Sequence, residues 1–116
     1  FFLIMAESSV SDFIVCWTTC GSKEDAEDLA SILVTDKLCA CVNITPGVTS
    51  IYWWDNKINK DTEYLLMIKT LRVKQEEVIN SIKKHHKYDV PEVICVNIEG
   101  GNPDYLHWIH ESLSRK

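Results

Sequence analysis

The sequence contains no apolar run close to the ~20 residues that a membrane-spanning helix needs. Glycine and proline are scarce, with 4 and 3 residues among 116, and no low-complexity stretch occurs. Basic residues are also in the minority, since 12 Lys and Arg face 17 Asp and Glu. The formal net charge of −5 lacks the basic footprint of a dedicated nucleic-acid binder. A membrane protein, a disordered chain and a nucleic-acid-binding protein are therefore all disfavoured.

The beginning of the sequence does not match a secretory signal, because the apolar stretch Phe1–Ile4 is short and lacks a basic flank. We interpret residues 1–4 as an expression remnant, residues 1–11 as a disordered N-terminal segment and residues 12–116 as a single domain. The cytoplasm is then the default location, where the 5 cysteines are expected to be reduced thiols. Their spacing matches no structural zinc motif.

Hydrophobic periodicity predicts four strands and three helices. A capping Ser22 precedes a helix from Lys23 to about Asp36, a second helix covers about 73–86, and Asn102-Pro103 begins a terminal helix. The predicted strands lie at residues 13–17, 40–54, 64–70 and 93–98. This order predicts an α+β, ferredoxin-like βαββαβ sandwich with an extra C-terminal helix, both main helices covering one face of an antiparallel sheet.

The second and third strands are long for such a small domain. Pro46-Gly47 predicts a kink in the second strand, and the turn-rich residues 55–61 predict a hairpin tip. Tyr52, Trp53 and Trp54 alternate across the strand, so both of its faces carry large apolar side chains near that tip. One small domain cannot cover all of this surface, which predicts an oligomer.

Several ordered motifs run from about residue 13 to residue 113. They are Leu38-Cys39-Ala40-Cys41-Val42-Asn43-Ile44-x-Pro46, Ser50-x-Tyr52-x-Trp54, Ile68-Lys69-Thr70, His86-x-Tyr88-x-x-Pro91-Glu92-Val93 and Tyr105-x-x-Trp108-Ile109. Together they resemble the divalent-cation tolerance family known as CutA. The resemblance implies a ferredoxin-like subunit in a PII-like homotrimer, a link to copper and other divalent cations, and no enzymatic reaction.

The tandem histidines allow two interpretations. Adjacent helical residues point about 100° apart, so His86 can pack on the apolar helix face while His85 interacts with the helix C-terminus. The resemblance implies instead a copper site, because some bacterial members use this pair with a cysteine at the end of the first strand. That cysteine aligns with Thr18 here, while Cys16 and Cys20 lie on the same strand face. The candidate metal ligands are therefore His85, His86, Cys16 and Cys20, for copper or another divalent cation.

The remaining cysteines have plainer interpretations. Cys39 and Cys41 lie about 6.6 Å apart on one strand face, which allows either a shared soft ion or simple core packing. Cys95 is predicted to be a core residue. The sequence contains no hydrolase, nucleotide-binding or metalloprotease motif, and a Cys16/His86 nucleophile pair has no local support, so we expect a protein that is not an enzyme.

A final set of residues occupies positions that match the family motifs and are candidates for a ligand cleft between subunits. These residues are Trp54, Glu63, Lys69, Tyr88 and Glu92. They line such a cleft or form pairs between strands and subunits. The leading hypothesis is a cytoplasmic homotrimer that binds copper or related divalent ions and takes part in the response to metal ions. The alternative is a PII-like module that binds a small anionic metabolite through Lys69 and Tyr88.

Overall fold

The computed structural model describes residues 12–114, so the predicted disordered segment 1–11 lies outside the described residues. The strands are β1 (Phe13–Cys20), β2 (Cys41–Trp54), β3 (Lys57–Leu71) and β4 (Ile94–Asn97). The helices are α1 (Lys23–Thr35), α2 (Gln75–His85, after a 3₁₀ turn at Arg72–Lys74) and α3 (Pro103–Ser114). The strands form one antiparallel sheet in the order β2-β3-β1-β4, which confirms the predicted ferredoxin-like topology and the extra C-terminal helix.

Helices α1 and α2 pack on the same face of the sheet, as predicted. Alternation along β1 directs Ile14 and Cys16 towards this face, while helical spacing brings Leu29, Leu33 and Ile82 onto it. The buried core consists of Ile14, Cys16, Cys20, Ala26, Leu29, Leu33, Cys39, Leu66, Ile68, Val78 and Ile82. None of the helices within residues 12–114 is long and apolar enough to cross a membrane.

The predicted helix caps are present. The Ser22 hydroxyl accepts a hydrogen bond from the Asp25 N–H at 3.1 Å and so satisfies one of the free donors at the start of α1. At the start of α3, the Asn102 side chain accepts from the Asp104 N–H at 2.9 Å. Pro103 is the first residue of that helix, where its missing N–H costs nothing.

The second face of the sheet is covered only in part. Helix α3 packs Leu106 and Ile109 against Phe13 and Leu71 at one end of the sheet. Beyond that contact, Ile94 and Val96 are 55% and 49% exposed. One face of β4 is therefore exposed, because no helix within residues 12–114 covers it.

Strands β2 and β3 project from the body as a long hairpin. Its turn consists of Asp55 and Asn56, whose φ angles of 55° and 60° are typical of a type I′ turn. Residues 59–61, predicted as part of the tip, belong to β3, because pairing with β2 continues to Lys57. The radius of gyration of 15.6 Å exceeds the roughly 13 Å expected for the radius of gyration of a compact chain of this length. The principal extents of 55 × 27 × 22 Å show that the molecule is elongated.

The predicted kink at Pro46-Gly47 is a register shift in the β2–β3 ladder between Thr45 and Val48. Gly47 has φ of 74°, a conformation that residues with a Cβ rarely adopt. The glycine therefore permits the bend from which the outer half of the hairpin extends.

Gly47→Ala should lower the free energy of unfolding by about 1 kcal/mol, because the new Cβ meets no neighbour but disfavours the positive φ. Gly100→Ala is the matched control, since its Cβ also meets open space and no positive φ is required there. Urea unfolding followed by circular dichroism measures both variants. Equal free energies of unfolding for the two variants would contradict this account of the bend.

Candidate functional site

The end of β1 and the end of α2 meet at a small pocket, which we call the Cys20–His86 pocket. The Cys20 Sγ lies 3.8 Å from the His86 Nε2, although 66 residues separate them in the sequence. The cavity has a volume of about 200 Å³. It is lined by Cys20, Gly21, Asp25, Asp28, Leu29, Ile32, His85, His86 and Lys87. Three of the four predicted metal ligands thus line one cavity.

Both ring nitrogens of His86 are engaged in hydrogen bonds. Its Nε2–H donates to the Thr19 carbonyl oxygen at 2.7 Å, while its Nδ1 accepts from the Tyr88 N–H at 3.0 Å. A carbonyl can only accept, so these contacts define the neutral tautomer with the proton on Nε2. The His86 ring also lies 4.6 Å from the Tyr88 ring. His86 therefore ties the end of α2 to β1, and the arrangement favours the packing interpretation for this histidine.

His85 has a different environment. Its Nδ1–H donates to the Ser81 carbonyl oxygen at 2.9 Å, one helical turn earlier. The side chain is exposed, and its Nε2 has no hydrogen-bond partner among residues 12–114. A lone pair on Nε2 remains available for a ligand, which is the usual state of an imidazole that binds a metal ion.

Cys16 and Thr18 lie away from the pocket lining. Cys16 is fully buried and its Sγ lies 3.0 Å from the Sγ of Cys95, so the structure pairs it with a residue that sequence analysis assigned only to the core. Burial, followed by the hydrogen bond to Cys95, raises the pKa of Cys16 well above the usual thiol value. The Thr18 hydroxyl is buried without a hydrogen-bond partner in the described part of the chain. A methyl or thiol group would be less costly to bury at this position, because neither leaves a hydroxyl without a hydrogen bond.

Cys39 and Cys41 differ in burial. Cys39 is 2% exposed, and burial raises the pKa of its thiol to about 12. Cys41 is partly exposed, and its Sγ lies 4.0 Å from the Asn43 Oδ1. Packing accounts for Cys39. In residues 12–114 no group of three or more His, Cys, Asp and Glu side chains is arranged to hold a metal ion.

A second cavity of about 620 Å³ lies between the hairpin and the loop after α2, and we call it the tyrosine–carboxylate cleft. Four of the five predicted cleft residues line it, but Lys69 does not, because its Nζ lies 3.2 Å from the Tyr105 hydroxyl. The lining is Thr19, Ser50, Ile51, Tyr52, Trp54, Asp61, Glu63, Tyr88, Asp89, Val90 and Glu92. These described lining residues include four carboxylates and no Lys or Arg. The negative charge of the cleft therefore disfavours an anionic ligand.

Two tyrosines hold carboxylates in this cleft. The Tyr88 hydroxyl donates to the Glu63 Oε2 at 2.7 Å, and the Tyr52 hydroxyl donates to the Asp61 Oδ2. Burial and the hydrogen bond to Glu63 raise the pKa of Tyr88 far above that of a free tyrosine. Sequence analysis missed the role of Tyr52 and Asp61. Their contact depends on the register of the β2–β3 ladder, which pairs Ser50 with Asp61 and so brings the Asp61 carboxylate beside Tyr52.

A family model described as "CutA1 divalent ion tolerance protein" matches residues 14–112. "Protein CutA 1, chloroplastic" from Oryza sativa is 46% identical over 99 residues, which are 85% of this chain and 56% of that protein. The "Divalent-cation tolerance protein CutA" from Salmonella newport is 34% identical over 105 residues, covering 90% of this chain and 91% of that protein. The chain spans only 56% and 60% of the length of its relatives from Oryza sativa and Arabidopsis thaliana.

Solved structures show the same fold. The crystal structure of CutA1 from Oryza sativa superposes with a TM-score of 0.86 and 44% sequence identity, covering 90% of this chain and 96% of that chain. Identity at this level over nearly the whole superposed region relates the two chains by sequence as well as by fold.

The thiol of Cys20 should make the protein sensitive to alkaline pH. Burial, followed by the Asp25 and Glu63 carboxylates, raises its pKa from 9.0 to about 11. Between these values the unfolded chain loses a proton that the folded chain retains, so the free energy of unfolding falls as pH rises, by about 2 kcal/mol. Urea unfolding between pH 8 and about 11 should show a smaller loss for Cys20→Ser than for the unmodified chain. Parallel curves would contradict this assignment.

Proposed function

Because the chain belongs to the CutA1 divalent ion tolerance family, we propose that it is a homotrimer that binds copper or a related divalent cation and takes part in the response to metal ions. The observation that carries the proposal is the Cys20–His86 pocket, whose lining includes an imidazole with an available nitrogen. The thiol and the two carboxylates of the same lining would have to move to join it as ligands. Relatives named divalent-cation tolerance proteins support the same assignment.

The pocket residues divide into a ligand and a positioning group. The His85 Nε2 is the ligand that needs no rearrangement, and imidazole suits both Cu²⁺ and Zn²⁺. His86 has both nitrogens engaged and positions the end of α2. Cys20 contributes only after losing a proton, because its pKa is about 11, so cation binding there releases a proton. Asp25 and Asp28 add negative charge at the cavity wall.

We propose that the protein acts by binding a cation rather than by catalysing a reaction. Cys20 is the thiol beside His86, and burial keeps it protonated at neutral pH, whereas a cysteine nucleophile requires the thiolate. The Cys16 thiol contacts the Cys95 thiol and is fully buried. We propose the cytoplasm as the location of the protein, because cysteines persist there as free thiols.

The hairpin supports the homotrimer. Ile51, Trp53, Trp54 and Ile58 are 61–71% exposed near its tip, and Ile94 and Val96 are exposed on the uncovered sheet face. An exposed apolar surface of this kind marks a site of protein association. Copies of the same chain that lay the hairpin across a neighbour's open face would cover both surfaces, and a closed ring of three does so without leaving an unmatched patch.

Cu²⁺ titration tests the metal assignment. His85→Ala should weaken Cu²⁺ binding at least about tenfold, because it removes the imidazole with an available nitrogen. Thr18→Cys should leave the Cu²⁺ affinity unchanged, because Thr18 is fully buried and does not line the pocket. Isothermal titration calorimetry in a non-coordinating buffer measures both affinities.

The matched control is His107→Ala, which removes an exposed histidine that lies on α3 and does not line the pocket. It should leave the Cu²⁺ affinity unchanged. Equal affinities for His85→Ala and the unmodified chain, with circular dichroism showing both folded, would remove this pocket as the metal site.

Light scattering tests the assembly. We expect a mass about three times the 13.3 kDa of one chain at micromolar concentration. Trp53→Glu should lower the mass towards that of one chain, because a carboxylate cannot be buried unpaired at an interface. Val73→Glu, at an equally exposed apolar position outside the hairpin, should retain the trimer. A single-chain mass for the unmodified protein would contradict the proposed assembly.

A further inference from the structure

We propose that Cys16 and Cys95 form a redox-active pair that closes to a cross-strand disulfide when a low-molecular-weight disulfide, such as oxidised glutathione, reaches Cys95. Neither residue lines the Cys20–His86 pocket or the tyrosine–carboxylate cleft. The pair is therefore a modification site separate from the proposed metal and ligand surfaces.

The strand register brings the two cysteines together. Cys16 on β1 and Cys95 on β4 are direct partners in the antiparallel ladder. The Ile98 N–H donates to the Phe13 carbonyl at 3.0 Å, so Phe13 and Ile98 form a hydrogen-bonded pair of this ladder. Such pairs alternate with non-hydrogen-bonded ones, and Cys16 lies three residues along, so Cys16 and Cys95 form a non-hydrogen-bonded pair. In these pairs the side chains approach each other most closely.

The distance between the sulfur atoms matches this register. Cys16 Sγ and Cys95 Sγ are 3.0 Å apart, whereas a disulfide bond is about 2.05 Å long. The sulfurs must therefore approach by about 1 Å. The Cα separation of direct cross-strand partners, about 4.5–5.5 Å, falls within the range that disulfides span without movement of the backbone.

The burial of the two residues sets the order of the reaction. Cys16 is 0% exposed, whereas Cys95 is partly exposed, so an oxidant reaches the Cys95 sulfur first. Cys95 loses its proton and attacks one sulfur of the small disulfide, releasing one small thiol and leaving a mixed disulfide. The Cys16 sulfur then attacks the Cys95 sulfur as a thiolate, its proton passing to solvent, and the second small thiol leaves. Because burial raises the pKa of Cys16, this second step is slow at neutral pH and becomes faster as pH rises. Two electrons pass from the cysteine pair to the small disulfide, which is reduced to two thiols.

Closure of the pair would fix a weakly held strand. Strand β4 has four residues and, within residues 12–114, pairs only with β1. The bond would join residues separated by 79 positions, which restricts the unfolded chain strongly. Oxidation is therefore expected to raise the melting temperature by several degrees, and reduction is expected to restore the original value.

The test treats the folded, fully reduced protein with oxidised glutathione and follows intact mass, free-thiol count and peptide mapping. We expect the protein to lose two hydrogen atoms and 2 of its 5 free thiols, with Cys16 and Cys95 in one linked peptide pair. Cys95→Ser should retain all of its remaining thiols. Cys41→Ser, which removes another partly exposed cysteine, should still form the bond.

Three results would overturn the proposal. One is a protein whose thiols all remain free after prolonged treatment. Another is a stable glutathione adduct on Cys95 that never yields the internal bond, and the third is a disulfide that joins a different pair of cysteines. Because circular dichroism verifies the fold of Cys95→Ser independently, loss of closure in that variant is attributable to the missing thiol.

Discussion

The structure depends on a long hairpin that has no core of its own. Strands β2 and β3 extend past the two helices that cover the sheet, and beyond the bend at Gly47 large apolar side chains such as Trp53 and Ile58 are more exposed than buried. The type I′ turn and the continuous ladder hold the hairpin straight, but hydrogen bonds alone do not stabilise an isolated two-stranded ribbon in water. In the proposed homotrimer, contacts with other copies of the chain would supply the missing burial.

The same geometry links the two candidate sites. His86 receives the Tyr88 N–H on one ring nitrogen and donates to the Thr19 carbonyl through the other. Tyr88 in turn donates to the buried Glu63 on the hairpin. A chain of neutral and charge-assisted hydrogen bonds thus runs from the Cys20–His86 pocket into the tyrosine–carboxylate cleft. A cation bound at His85 would lie one residue from this chain.

Local signals were sufficient to predict much of the fold. The caps at Ser22 and Asn102 and the bend at Gly47 depend on a few adjacent residues, so the sequence pattern reports them directly. The extent of β3, the exposure of β4 and the Cys16–Cys95 contact depend on registers between distant segments, which periodicity does not contain. For the same reason Lys69, grouped with Tyr88 by motif, lies beside Tyr105 instead. Sequence analysis identified Cys20 and His86 as candidate metal ligands, but only the fold shows that their side chains are neighbours.

The central claim is that the hairpin is stable because assembly buries it, so that folding and association form one equilibrium. Thermal unfolding followed by tryptophan fluorescence over a hundredfold range of protein concentration tests this claim most directly. The account predicts a melting temperature that rises with concentration, because dissociation accompanies unfolding. A melting temperature that stays constant over the whole range would contradict it.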